Sequence, residues 1–322
     1  MSAAASIRAG WPSLDTLMPF VGAAALVVAA GMAFPQILGA NYLLQQLQIA
    51  AFLGILATGA TIVILLGHID LSVPWVLGGG AILSTALVGT GDPTLAAIAI
   101  PAAVLFGAFV GVINGLGVAF LRIPSMVWTL AVNSMLLGVA VLNTGGFNPR
   151  GEASDVMVYL ATGDLLGVPA SFLTWMAVVG VLALVMTRTG FDRYLRAAGY
   201  NEKATFLSGV GTPGVICAAF AIAGACSALG GVLLAGYANQ AYQSMGDPFL
   251  LPTIAAVVIG GTSILGGRGG LSGTVGGAIF ITLLTSILSI MQIDESWRNI
   301  IFGAIILAML LFQSLRKRSG AA

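Results

Sequence analysis

Residues 188–212 read RTGFDRYLRAAGYNEKATFLSGVGT, the longest charged interruption in the second half of an otherwise apolar chain. Six of these 25 residues carry charge (Arg188, Asp192, Arg193, Arg196, Glu202 and Lys203), about a quarter, against 7% for the whole sequence. Phe191, Tyr194, Leu195 and Ala198 fall at i, i+3, i+4 and i+7, the apolar stripe of a short helix, with Asp192, Arg193 and Arg196 off that stripe. Gly199 is placed to end this helix in a left-handed conformation. Asn201 is placed to cap a second helix, with Glu202 in its first turn, where the helix dipole favours an anion. The stretch reads as two short helices on a membrane surface, a platform suited to docking another protein.

The rest of the chain supplies the membrane. Of 322 residues 58% are hydrophobic and 44 are glycine, and the mean hydropathy is +1.04. A soluble domain carries about a quarter charged residues, so this composition specifies an all-α polytopic membrane protein, one transmembrane domain over residues 1–322. A span needs about 20 apolar residues. The apolar runs and breakers predict ten, near 18–38, 46–66, 73–90, 95–120, 125–143, 169–187, 213–236, 250–265, 271–291 and 298–314; eight with re-entrant segments is the alternative. A polar segment, Thr144–Gly167, separates the fifth run from the sixth. Arg8 and Asp15 precede the first run and no A-x-A site follows it, so Phe20–Phe34 reads as a retained span rather than a signal peptide.

Basic residues orient the chain. With both termini cytoplasmic, Arg8, Arg122, Arg188, Arg193, Arg196, Lys203, Arg268, Arg316, Lys317 and Arg318 fall inside, and only Arg150 and Arg298 outside. Asp92, Glu152, Asp155, Asp164, Asp247, Asp294 and Glu295 then face out, and the 188–212 loop is cytoplasmic. The net charge of +1, with no basic patch, gives no footing for nucleic acid. Cys217 and Cys226 are nine apart in one apolar run, on opposite helix faces, which argues against a disulfide or a shared metal.

Within the apolar runs, Gly67-His68-Ile69-Asp70-Leu71-Ser72 brings the only histidine, an aspartate and a serine to a junction. Charge in hydrocarbon is expensive, so this segment should face protein or a water-filled cavity. One reading is a broken helix lining a pathway; the other is a turn in which Asp70 caps the next helix. Asn114, Trp128, Thr129, Asn133 and Trp75 are polar or aromatic residues in apolar surroundings, able to line a sugar route or to bond helices together. Leu71-Ser72 before Gly78-Gly79-Gly80-Ala81-Ile82 is echoed by Leu271-Ser272 before Gly276-Gly277-Ala278-Ile279, the kind of echo repeated halves leave. Gly260-Gly261-Thr262 and Gly266-Gly267-Arg268-Gly269-Gly270 lack the G-x4-G-K-[ST] pattern of a phosphate loop. No H-E-x-x-H, G-x-S-x-G or paired-cysteine signature appears either, which argues against an enzyme, and no catalytic or metal residues are expected.

Four segments in order resemble the permeases of bacterial ABC sugar importers of the ribose/xylose/galactoside branch. They are GHIDLSV at 67–73, LRIPSMVWTL at 121–130 with Thr144-Gly145-Gly146, the loop from Gly190 to Val210, and AAVVIGGTSILGGRGG at 255–270. The resemblance covers about residues 40–315. It implies an inner-membrane subunit that pairs with a second permease chain, identical or not. A periplasmic or lipid-anchored binding protein would deliver a sugar or similar hydroxylated solute, and partner ATPase subunits would bind the ATP, leaving this chain without a cofactor. It implies contact with the ATPase at Gly199, Asn201, Glu202, Lys203 and Ala204, and a translocation pathway near Asp70, Ser72, Asn114, Trp128 and Asn133. His68 and Pro74 stand where glycine is usual, and Leu137 where arginine is common, which leaves the solute open. Two other readings are an ion-gradient-driven transporter using Asp70 and His68, and a membrane enzyme acting on lipid-linked sugars through Glu152 and Asp155.

Overall fold

The computed structural model describes residues 14–146 and 151–319, with only the backbone at 14–16 and 312–319. Arg8 and Arg150 lie outside the described residues, as do the side chains of Asp15, Arg316, Lys317 and Arg318. The chain forms α1 (Leu14–Ala33), α2 (Ala40–Leu65), α3 (Val73–Val88), α4 (Pro93–Ala119), α5 (Ser125–Thr144), α6 (Asp155–Thr162), α7 (Ala170–Arg188), α8 (Phe191–Tyr200), α9 (Glu202–Leu207), α10 (Thr212–Ala238), α11 (Leu250–Ile259), α12 (Leu271–Ile290) and α13 (Glu295–Ser319). A two-residue hairpin pairs Asp164–Leu165 with Val168–Pro169. The protein is an all-α membrane protein.

Each of the ten apolar runs lies on a helix. Among the described residues six helices (α2, α4, α5, α7, α10 and α12) are long and apolar enough to cross a membrane, and three further apolar helices are shorter. The run expected over 250–265 stops at Ile259 because Gly260 and Gly261 turn the chain, Gly261 at φ +85°. At 1.5 Å per residue α11 is about 15 Å long, half the hydrocarbon thickness of about 30 Å. The segment read as polar, Thr144–Gly167, holds a further helix, α6. Ser154 accepts the N–H of Met157 and so caps it, Asp155 lies in its first turn, and Met157 and Ala161 are fully buried. An eight-residue helix with two buried side chains leaves too weak a periodic signal to stand out in a polar stretch.

Two helices form the core. Every residue of α2 from Ala50 to Leu65 is buried, the condition of a helix apolar all round. α10 packs against α2, α3 and α4, while α7, α11 and α12 pack on α2, and α1 packs on α12. Glycine sets the spacing. On α4, Gly107, Gly111 and Gly115 recur every fourth residue along one face, and a Cβ at each would run into the α10 backbone at Gly224, Phe220 and Cys217. Small residues let helix backbones touch. Trp175 of α7 lies over Gly54 of α2, and its indole Nε1 donates to Thr58 Oγ1 at 3.0 Å.

Candidate functional site

The α2 helix ends where Gly67 takes φ +79°. The Gly67 N–H returns to the Ile64 carbonyl at 2.8 Å and the His68 N–H to the Val63 carbonyl at 3.2 Å, the paired bonds of a glycine-terminated helix end. The chain then runs without regular structure through Ile69, Asp70 and Leu71 until α3 begins. Asp70 does not cap α3 as one reading of the sequence expects. Its Oδ1 accepts from the Ser72 N–H at 2.8 Å and the Ser72 hydroxyl at 2.6 Å, closing the turn two residues on. Asn114 of α4 donates its Nδ2 to Ser72 Oγ at 2.8 Å, and its own Oδ1 is buried without a partner.

The amides freed by the break are collected by another helix. Ser125, Thr129 and Asn133 recur every fourth residue on α5, one above another on a single face. Ser125 Oγ accepts from the Ile69 N–H at 3.3 Å, Thr129 Oγ1 from Leu71 at 2.9 Å, and Asn133 Oδ1 from Trp75 at 3.3 Å. Backbone groups in an apolar interior must find partners, and here side chains from a neighbouring helix supply them. Asn133 thus serves the first turn of α3, and Pro74, lacking an N–H, sits in that turn where no acceptor is needed. Ser125 was not singled out from the sequence; its spacing of four and eight from Thr129 and Asn133 is the signal that could have found it. Trp128 faces elsewhere: its ring lies over Gly117 and Nε1 donates to the Ile113 carbonyl at 3.2 Å, so it ties α5 to α4.

A second break follows α11. Gly261 returns its N–H to Val258 at 3.0 Å and Thr262 to Val257 at 3.2 Å, the same turn that ends α2. The 263–270 loop then folds on itself, with Ser263 N–H to the Arg268 carbonyl at 2.9 Å. The two breaks meet. The Gly267 N–H donates to the Leu65 carbonyl at 2.8 Å, and a Cβ on Gly266 would lie 2.8 Å from the Gly67 nitrogen.

The two surface helices form where the sequence places them. Of the expected stripe Leu195 and Ala198 are buried and Phe191 is half-buried, but Tyr194 is exposed at 45%; Asn201 Oδ1 accepts the Ala204 N–H at 3.0 Å. Gly199 departs from its expected role: α8 continues through Tyr200, and Gly199 has no left-handed φ. Its Cα instead lies flat against the Leu65 carbonyl and the Gly267 nitrogen. Tyr200 lies over Gly267 and its hydroxyl accepts from Arg268 Nε at 3.1 Å. Lys203 and Ala204 are exposed, and so are Phe206 at 56% and Leu207 at 85%. Gly199 thus faces inward while Lys203, Ala204, Phe206 and Leu207 face outward.

Between the first break and this loop opens a cavity of about 480 Å³ whose lining includes His68, Val118, Arg122, Ser125 and Glu202. Burial pushes the His68 imidazole below its ordinary pKa, and the nearby Glu202 carboxylate opposes this in part. A histidine lowered in the folded state binds its proton more readily unfolded. Its neutral form is accommodated at full stability above about pH 6.5, and stability falls as the pH drops from there through the lowered folded value. Thermal unfolding followed from pH 7.5 to 5.5 is expected to show this loss, and His68→Gln is expected to lessen it. An unchanged pH slope in the variant would remove His68 as the cause.

The family described as branched-chain amino acid transport system / permease component matches residues 42–310. The ribose import permease protein RbsC of Haemophilus influenzae is 31% identical over 295 residues, 91% of each chain. The autoinducer 2 import system permease protein LsrC of Escherichia coli K12 is 34% identical over 287 residues, 89% of this chain and 83% of that one. RbsC of Bacillus subtilis is 32% identical over 308 residues, 95% of this chain and 94% of that one. No solved structure matches the chain.

Proposed function

The chain belongs to the permease-component family of branched-chain amino acid transport systems, and from that membership we propose that it is the membrane subunit of an ATP-driven importer for a sugar or similar small hydroxylated solute. The observation that carries the solute class is the run of relatives named for ribose and autoinducer 2 import, matched over about nine-tenths of this chain. In this reading the protein is a transport component and not an enzyme, and partner subunits bind and hydrolyse ATP. It sits in the bacterial inner membrane with both termini cytoplasmic, ten helical segments in the bilayer of which α11 goes part-way, and a second permease chain beside it. A solute-binding protein loads it from outside.

Roles follow from which surfaces are free. Lys203, Ala204, Phe206 and Leu207 form the outward platform on which the ATPase subunit rests, with Asn201 and Glu202 holding α9 in place. The solute passes beside the first break, where Asp70, Ser72, Asn114 and Asn133 concentrate polar groups in an apolar interior. Trp128 contributes by keeping α5 against α4.

The test is a purification of the chain co-expressed with its ATPase subunits and binding protein, followed by uptake in proteoliposomes. ATP-dependent uptake by the intact complex is expected. Leu207→Glu places a charge in the centre of an apolar contact and is expected to lose the ATPase subunit from the purified complex while the permease remains folded. Uptake that persists without ATP and collapses with an ion gradient would instead favour a secondary transporter.

A further inference from the structure

On the importer reading, motion delivered to α8 and α9 has to reach the interior of the bundle. We infer that Gly199 is the positioning residue of that coupling: it joins the inner face of α8 to both helix breaks, so that the three segments move as one body.

The geometry has three parts. Gly199 lies directly on the Leu65 carbonyl, at the last residue of α2, and 2.7 Å separates the place of its missing Cβ from the Gly267 nitrogen. The same Leu65 carbonyl accepts the Gly267 N–H at 2.8 Å. A Cβ on Gly266 would stand 2.8 Å from both the Gly199 oxygen and the Gly67 nitrogen. Backbone from the surface helix, from the first break and from the second therefore meets at one point. The Tyr200–Arg268 hydrogen bond flanks it.

The absence of side chains at this point matters. Side-chain contacts absorb a small displacement by changing rotamer, whereas touching backbones have no rotatable bond between them, and packed interfaces shift as units. Downstream, the first break leads within five residues to Asp70 and Ser72, where the Ser72 hydroxyl accepts from Asn114 of α4 and donates to Asp70, while the Leu71 N–H between them donates to Thr129 of α5. The second break leads directly into α12. One contact at Gly199 thus reaches α2, α3, α5 and α12 together. The family resemblance points Gly199 toward the ATPase; its packing turns it toward the interior of the bundle.

The test uses the whole complex of permease, ATPase subunits and binding protein in proteoliposomes. Gly199→Ala is expected to leave the complex assembled and to lower uptake about tenfold, with ATP hydrolysis within about twofold of wild type, because one methyl forces the joined backbones apart. Equal losses of uptake and hydrolysis would overturn the inference. A second measurement does not depend on that variant folding. With Cys217→Ala and Cys226→Ala as background, Tyr200→Cys and Arg268→Cys are joined by a short bifunctional thiol reagent. Uptake by the joined protein is compared with the same protein before joining. One rigid body predicts unchanged uptake; arrested uptake would mean that α8 slides against the second break, and the inference would fall. If the unmodified complex showed no ATP-dependent uptake, the importer reading itself would fail first.

Discussion

Gly111→Leu is expected to lower the thermal stability of the purified protein by about 10 °C, the consequence of roughly 3 kcal/mol of overpacking in a domain of this size. The atoms a Cβ at Gly111 would meet are the carbonyl oxygen and carbon of Phe220 and the Cα of Ala221. All belong to the α10 backbone, so no rotamer change can make room. The contact is repeated one turn on either side, at Gly107 against Gly224 and at Gly115 against Cys217. Relief at one level would therefore need the whole of α4 to lift away from α10, the most extensive helix pair among the described residues. The comparison that gives the result its meaning is Gly180→Leu on α7. Nothing lies within 4 Å of a Cβ at Gly180, and leucine is the better helix former by several tenths of a kcal/mol. Gly180→Leu is expected to be neutral or slightly stabilising. Equal losses at both positions would mean that the effect is not one of helix approach.

Asp70→Ala is expected to lower uptake about tenfold or more and to destabilise the protein by about 2 kcal/mol, because it orphans buried donors. Asp70 Oδ1 is the partner of both the Ser72 N–H and the Ser72 hydroxyl, and Ser72 is fully buried. The Ser72 hydroxyl in turn accepts from Asn114, so losing Asp70 loosens the link between the break and α4. Asp70→Asn keeps an oxygen in the Oδ1 position and is expected to retain most of the stability. Uptake by Asp70→Asn then separates two roles: near-normal uptake assigns Asp70 to shaping the break, and lost uptake with retained stability assigns the charge to transport. An Asp70→Ala protein as stable as wild type would show that the turn holds without its carboxylate.

Much of this architecture was legible in the residues. The ten apolar runs lie on helices because a long apolar stretch in a membrane has to satisfy its backbone internally. The two surface helices were visible in the period of Leu195 and Ala198 and in the cap at Asn201. Both breaks were marked by glycine. What escaped were features made by partners far apart in sequence. Ser125 looks like an ordinary helix-starting serine until Ile69 is brought beside it, and α6 looks like part of a loop until Gly236 of α10 lets the Met157 backbone of α6 pack directly against it.

Composition and pattern by themselves determined a helical membrane protein, the positions of its long helices and of the first break, and the four motifs that mark its family, because hydrophobic length, glycine punctuation and capping are local properties of the chain. Only the tertiary structure decided what each break touches. It turned Gly199 inward, set the α5 face against the amides of 69–75, and brought the 67 and 266 turns together. Those are contacts between backbones and side chains tens to hundreds of residues apart, and no local property of the chain encodes them.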